Sequence, residues 1–151
     1  MIPPFSISLK YYSINPVGVD KQPCWGYILV MKIIKKLQVV VETTEYIKQA
    51  ESCMDKKSRD DFISYIAHHP LEGDLITGTG GARKIRWTAD SDQGKRGGSR
   101  IIYYYHNQNM PIFLFTAYGK NQKENISEYE KNLLKTIIKS IVKVYGEVDH
   151  E

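Results

Sequence analysis

Lys84, Arg86 and Arg100 are the residues of this chain whose types and spacing could do chemistry. Lys84 and Arg86 stand two apart in the run ARKIRW, the period at which an extended strand puts side chains on one face. Ile85 and Trp87 then point into a core. Arg100 arrives from a neighbouring run, and three cations on one sheet face make a cluster of phosphate size. Guanidinium groups grip phosphate oxygens through paired hydrogen bonds, and lysine adds a compact point charge. The cluster lies where the positive charge of the chain is concentrated. Residues 81–120 hold Arg83, Lys84, Arg86, Lys95, Arg96, Arg100 and Lys120 against Asp90 and Asp92. Of 151 residues, 21 are lysine or arginine and 17 are acidic, so outside that window 14 basic side chains face 15 acidic ones. Gathered cations repel one another until a polyanion relieves them, and nucleic acid is the common one. Charge alone fits a solvated basic face equally well. The shared face of Lys84 and Arg86 tips the reading towards a site.

Positioning these groups requires a sheet. Two β-type runs, Ala82–Thr88 and Ser99–Tyr105, are each entered through a glycine pair, Gly80-Gly81 and Gly97-Gly98. The polar turn between them carries Lys95 and Arg96 at an exposed tip, within reach of an RNA backbone. Arg83, at the mouth of the first run, is a further candidate RNA contact. A third run, Ile112–Tyr118, follows a polar turn through Asn107–Pro111. Ile101–Tyr105 and Ile112–Tyr118 are apolar at nearly every residue, which predicts central strands with helices on at least one side. Most of the rings here, Trp87 and Tyr103 to Tyr105, suit core packing. Tyr118 precedes Gly119-Lys120 at the mouth of the sheet and is the candidate for stacking on a splayed base.

The remaining elements are signalled by caps and periodicity. Leu37–Val41 suits a short buried strand. Thr43 or Thr44 caps a helix running to about Met54, with Tyr46, Ile47, Ala50 and Met54 on one face. Asp55 caps a second helix with Phe62, Ile63, Ile66 and Tyr65 in its stripe, stopping near His69 because Pro70 disfavours helical geometry before it. Ser127 and Glu130 form a capping box for a last helix. Its apolar face is Leu133, Leu134, Ile137, Ile138, Ile141, Val142 and Tyr145, and Gly146 can end it. The row Lys131, Lys135, Lys139 and Lys143 reads as a solvated face. The fold class is therefore α+β: a small antiparallel sheet, two N-terminal helices and one C-terminal helix. The helices are expected to cover one sheet face and leave the Lys84, Arg86 and Arg100 face open.

Several functions are disfavoured. The glycine-rich loop Leu71–Gly81 lacks the ending and helix of a nucleotide-binding loop and reads as a tight connection. His68-His69 has no accompanying ligand cluster and reads as a helix end. Cys24 and Cys53 show no metal spacing, so no metal or other cofactor is expected. No run reaches the length of a membrane span. Residues 1–30 hold four of the six prolines and no clear period. They make a poor secretory signal and read as an N-terminal extension, upstream of a natural start at Met31 and a domain over 31–151. A real extension adding an edge strand is the alternative.

The blocks GTGGARKIRW, GKRGGSRIIYYY and FTAYGKN resemble the HigB branch of the RelE/ParE toxins of bacterial type II toxin–antitoxin systems. The resemblance spans roughly Met31 to Tyr145. It implies the compact RelE-like fold and a ribosome-dependent endoribonuclease that cuts messenger RNA in the ribosomal A site. Lys84 and Arg86 match the family's basic strand pair, Arg100 its central-strand arginine and Lys120 the lysine after the last strand. Asn121 stands where the best-studied RelE members carry an arginine. Their catalytic tyrosine falls at about Ser127, with Tyr129 two residues away as a candidate for proton transfer. The implied partners are a helix-turn-helix antitoxin, the ribosome and messenger RNA, in the cytoplasm and away from membranes.

Cutting RNA without a metal needs a deprotonated 2′-hydroxyl, stabilised charge on the pentacoordinate phosphorus and a proton for the departing 5′-oxygen. Arginine and lysine supply the charge stabilisation, commonly the largest contribution. Arg86 and Arg100 are the candidate clamps, Lys84 the candidate base, and Lys120 the candidate acid or second clamp. Two other readings share these residues: a ParE-like inhibitor that poisons DNA gyrase by binding, and an RNA-binding module without catalysis.

Overall fold

The computed structural model describes residues 8–9, 38–88, 98–123 and 125–148. Its elements, in chain order, are β1 (Ser8–Leu9), β2 (Val40–Glu42), α1 (Thr44–Cys53), α2 (Lys56–His68), β3 (Asp74–Leu75), β4 (Ala82–Trp87), β5 (Ser99–Tyr104), β6 (Ile112–Gly119) and α3 (Glu128–Val148). The α+β class and the two-plus-one arrangement of helices are as expected.

The caps are the residues the sequence marks. Thr43 accepts from the Tyr46 amide at 3.2 Å and starts α1, and Asp55 accepts from the Ser58 amide at 2.7 Å and starts α2. At α3 the box is closed in both directions. The Glu130 amide donates to Ser127 Oγ at 3.2 Å, and Ser127 N donates to Glu130 Oε2 at 2.8 Å. Gly146 does not end α3, which continues to Val148.

The sheet runs β1-β2-β6-β5-β4-β3. The meander β4–β5–β6 is antiparallel, but β2 lies parallel to β6, pairing Val40 with Ile112 and Glu42 with Leu114. The sheet is therefore mixed rather than wholly antiparallel. A register shift after Ile102 gives β6 one extra residue. Thr43 Oγ1 sits beside it, donating to Leu114 O at 2.8 Å and Phe115 O at 3.2 Å.

Helices cover both faces, which corrects the expectation of one open face. Ile85, Ile101, Tyr103, Ile112 and Leu114 pack with Tyr46, Ala50, Phe62 and Ile66 of α1 and α2. The alternate residues Ile102, Tyr104, Phe113 and Phe115 pack with Leu134 and Ile138 of α3. Strands apolar on both sides would leave a bare hydrophobic face if all helices sat together. Among the described residues the cations lie on the α3 face beyond this cluster, at the end where the strands turn from apolar to basic.

The loop before β4 uses its glycines for backbone geometry. Gly78, Gly80 and Gly81 have φ of 86°, 79° and 116°, the left-handed region that side chains rarely enter. Thr79 fastens the turn, its Oγ1 donating to Ile76 O at 2.7 Å and accepting from Ala82 N at 3.0 Å. No helix among the described residues is long and apolar enough to cross a membrane.

Candidate RNA-cleavage site

Strand register brings the cations together. Arg86 pairs directly with Arg100 across β4 and β5, and Arg100 pairs with Tyr118 across β5 and β6. Paired residues share a face, so Arg86, Arg100 and Tyr118 form one row across three strands, spaced by about 5 Å per strand. Lys84 lies two residues inward on the same face, opposite Ile102. The next rung outward is Trp87, Ser99 and Gly119, and Lys120 follows it in an exposed turn. That turn is closed by Gln122 N donating to Gly119 O at 3.0 Å and Gly119 N donating to Gln122 Oε1 at 3.0 Å. Lys120 thus stands at the basic end of the sheet, with Asn121 beside it.

The two arginines are held differently. Arg100 is half-buried and its Nη1 donates to the Lys123 carbonyl at 3.4 Å. Arg86 is exposed, and its guanidinium lies across Gly98. A Cβ at position 98 would come within 2.9 Å of Arg86 Nε, so glycine there leaves the space the arginine occupies. Trp87, on the opposite face, anchors the strand end. Its Nε1 donates to Ser58 O and Ser58 Oγ, both at 3.1 Å, and its ring meets Phe62 at a centroid distance of 5.3 Å.

One expected contact is placed elsewhere, and a second is on the face but buried. Arg83 points to the α1–α2 side, because it is one residue out of phase with Lys84. Its Nη1 donates to Gly73 O at 2.6 Å and to Leu71 O at 3.1 Å, so it ties down the loop before β3 instead of joining the cluster. Tyr118 shares the cluster's face but is 3% exposed, with Lys123 Nζ 5.1 Å from its ring centroid. That ring is covered and offers no platform to a base. Its hydroxyl is buried without a hydrogen-bond partner among the described residues, and burial raises its pKa above the ordinary tyrosine value. Tyr129 is 76% exposed on the first turn of α3. Lys95 and Arg96 lie outside the described residues.

Two groups, Asp74 and Lys123, escape a reading of the sequence. Asp74 of β3 pairs with Lys84, placing a carboxylate-bearing residue beside the candidate base. A cleft of about 380 Å³ opens there, lined by Asp74, Leu75, Lys84, Asn125, Ile126 and Lys131. Lys123 pairs with Glu130 beside Tyr118. The Glu130 carboxyl is held below the usual range, first by its hydrogen bond from Lys123 and then by those from Ser127. A β3 of two residues is too short to announce itself, and Lys123 lies in a polar stretch without periodicity.

Among the described residues no group of three histidine, cysteine or acidic side chains comes together as a metal site. His68 closes α2, with Nδ1 2.7 Å from Ser64 O. What the site offers is concentrated positive charge on a rigid sheet, suited to an anion that gains charge during a reaction. Residues 41–148 match the family model described as the RelE toxin of the RelE / RelB toxin-antitoxin system.

Proposed function

We propose that this chain, which belongs to the RelE toxin family, cuts messenger RNA on the ribosome without a metal ion, as the HigB branch does. The observation that carries this reading is the row of Arg86 and Arg100 with Lys84 on the same face. Arg86 and Arg100 clamp the scissile phosphate and take up the charge that develops on it. Lys84, inward of them, acts as the base for the 2′-hydroxyl, and Lys120 at the turn as the acid or a further clamp. The chain has few groups of its own to align the message, so the ribosome holds it in line for attack. The family carries an antitoxin partner; here it is a small helix-turn-helix protein, and the complex works in the cytoplasm.

Induced expression should arrest growth and produce cleavages within translated messages, while naked RNA is cut poorly. Mapping of RNA 5′ ends after induction reads this out. Intact messages together with gyrase-linked DNA breaks would establish the ParE-like alternative.

Gly98 provides a sharper test of Arg86. Alanine at position 98 needs no unusual backbone angle, but its methyl group meets Arg86 Nε at 2.9 Å. The flexible guanidinium end moves, and the fold does not. Gly98→Ala should therefore slow single-turnover cleavage by about tenfold, as misplacement of a reacting group does, with little change in the urea midpoint. Normal cleavage by that variant would remove Arg86 from the reaction centre.

A further inference from the structure

We propose that Lys123 is a further phosphate ligand of this site, held in reserve by Glu130, and that its release uncovers the Tyr118 hydroxyl as a neutral donor to the same phosphate. This rests on the RNA-cleavage reading above. The starting observation is the Tyr118 hydroxyl, buried without a partner among the described residues on the row that holds Arg86 and Arg100. A buried donor without an acceptor is unusual unless a ligand supplies one. Tyr118 packs among Phe115, Ile126 and Leu134, and the charged side chain over its ring is Lys123, with Nζ 5.1 Å from the centroid; Lys123 is 33% exposed and pairs with Glu130.

The bonding of Glu130 makes that contact removable. Lys123 Nζ uses Oε1, whereas Ser127 N and Ser127 Oγ bond Oε2 at 2.8 and 2.9 Å. When Lys123 leaves, the carboxylate keeps both capping contacts and α3 keeps its start. Lys123 also accepts the Arg100 hydrogen bond through its backbone carbonyl. A phosphate that engages the Arg100 guanidinium therefore loosens the backbone of the residue whose ammonium group it attracts. One anion undoes both ties, and Lys123 exchanges a carboxylate for a phosphate. Burial keeps the Tyr118 phenol protonated, as a donor must be.

The test is a binding titration of the full chain with a 2′-O-methyl RNA trinucleotide, which cannot be cut, at two salt concentrations. Lys123→Met should weaken binding about five- to tenfold and reduce the salt slope by about 0.7, the value for one lost contact to a single strand. Tyr118→Phe should weaken it about threefold with the slope unchanged, since a neutral donor releases no counterion. Glu130→Gln keeps an oxygen for the cap and presents an amide to Lys123, so it should tighten binding about three- to tenfold. In the Lys123→Met background that gain should vanish. A gain that persists there, or a Lys123→Met variant with unaltered affinity and slope, overturns the proposal and leaves the pair a brace for the helix. Opposite signs from Lys123→Met and Glu130→Gln cannot come from general destabilisation. If the pattern holds while the wild-type chain leaves ribosome-bound messages intact, the nuclease reading falls and the phosphate site stands.

Discussion

Arg86→Ala and Arg100→Ala should each slow single-turnover cleavage of ribosome-bound message by roughly 30- to 1000-fold. That range is the loss of about 2–4 kcal/mol of transition-state stabilisation, taken from removal of one preorganised donor to a developing oxyanion. Register supports the analogy. The two arginines face each other across neighbouring strands. Both guanidinium groups therefore start on the face that meets the phosphate as charge builds on phosphorus. Binding should respond far less, because cations beyond the pair still contact phosphates and each contributes a modest share. Lys95→Ala and Arg96→Ala should show the reverse, weakening binding and its salt dependence while sparing the chemical step. The measurement is cleavage on ribosomes saturated with each variant, beside a binding titration at two salt concentrations. Normal rates at saturation for both arginine variants would reduce the cluster to a docking patch.

The sequence shows these arginines because their signal is local. A period of two places Lys84 and Arg86 on one face, and a glycine pair marks the entry to each strand. Caps are equally local: Thr43, Asp55 and the Ser127–Glu130 box each start a helix. Contacts set by tertiary pairing are another matter. That β2 runs parallel to β6 depends on how the chain returns after two helices, and no short stretch encodes it. The side on which α3 packs is encoded more locally, since apolar residues on both faces of β5 and β6 call for two covers. Composition groups Arg83 with its basic neighbours, although its phase sends it to the loop carbonyls. Position puts Tyr118 at the mouth of the sheet, but its ring is buried in the α3 cluster, and the charged side chain over it comes from five residues downstream. Glu130 has a visible role in the capping box, and that role hides its second partner, Lys123.

The largest effect on stability should come from the opposite face. Glu42, at the end of β2, is 2% exposed, and its Oε1 lies 3.3 Å from Arg59 Nη2 of α2. Arg59 also reaches Glu51 at 3.5 Å, but Glu51 is largely exposed and such pairs contribute little. The pair that matters is the buried one. Arg59→Leu removes the guanidinium and leaves the Glu42 charge between sheet and helix without its partner. The expected cost is roughly 3–5 kcal/mol, the usual result of breaking a buried pair from one side. Replacing both residues with leucine removes the stranded charge and should cost far less, about 1 kcal/mol. Urea unfolding with an unchanged m value measures both, and the cycle of single and double variants isolates the coupling. A loss below about 1 kcal/mol for Arg59→Leu, additive with Glu42→Leu, would show that water already screens the pair. Because Arg59 lies across the sheet from Arg86 and Arg100, the molecules that remain folded should bind the uncleavable trinucleotide as the parent does. That separates support of the fold from contact with phosphate in a single set of proteins.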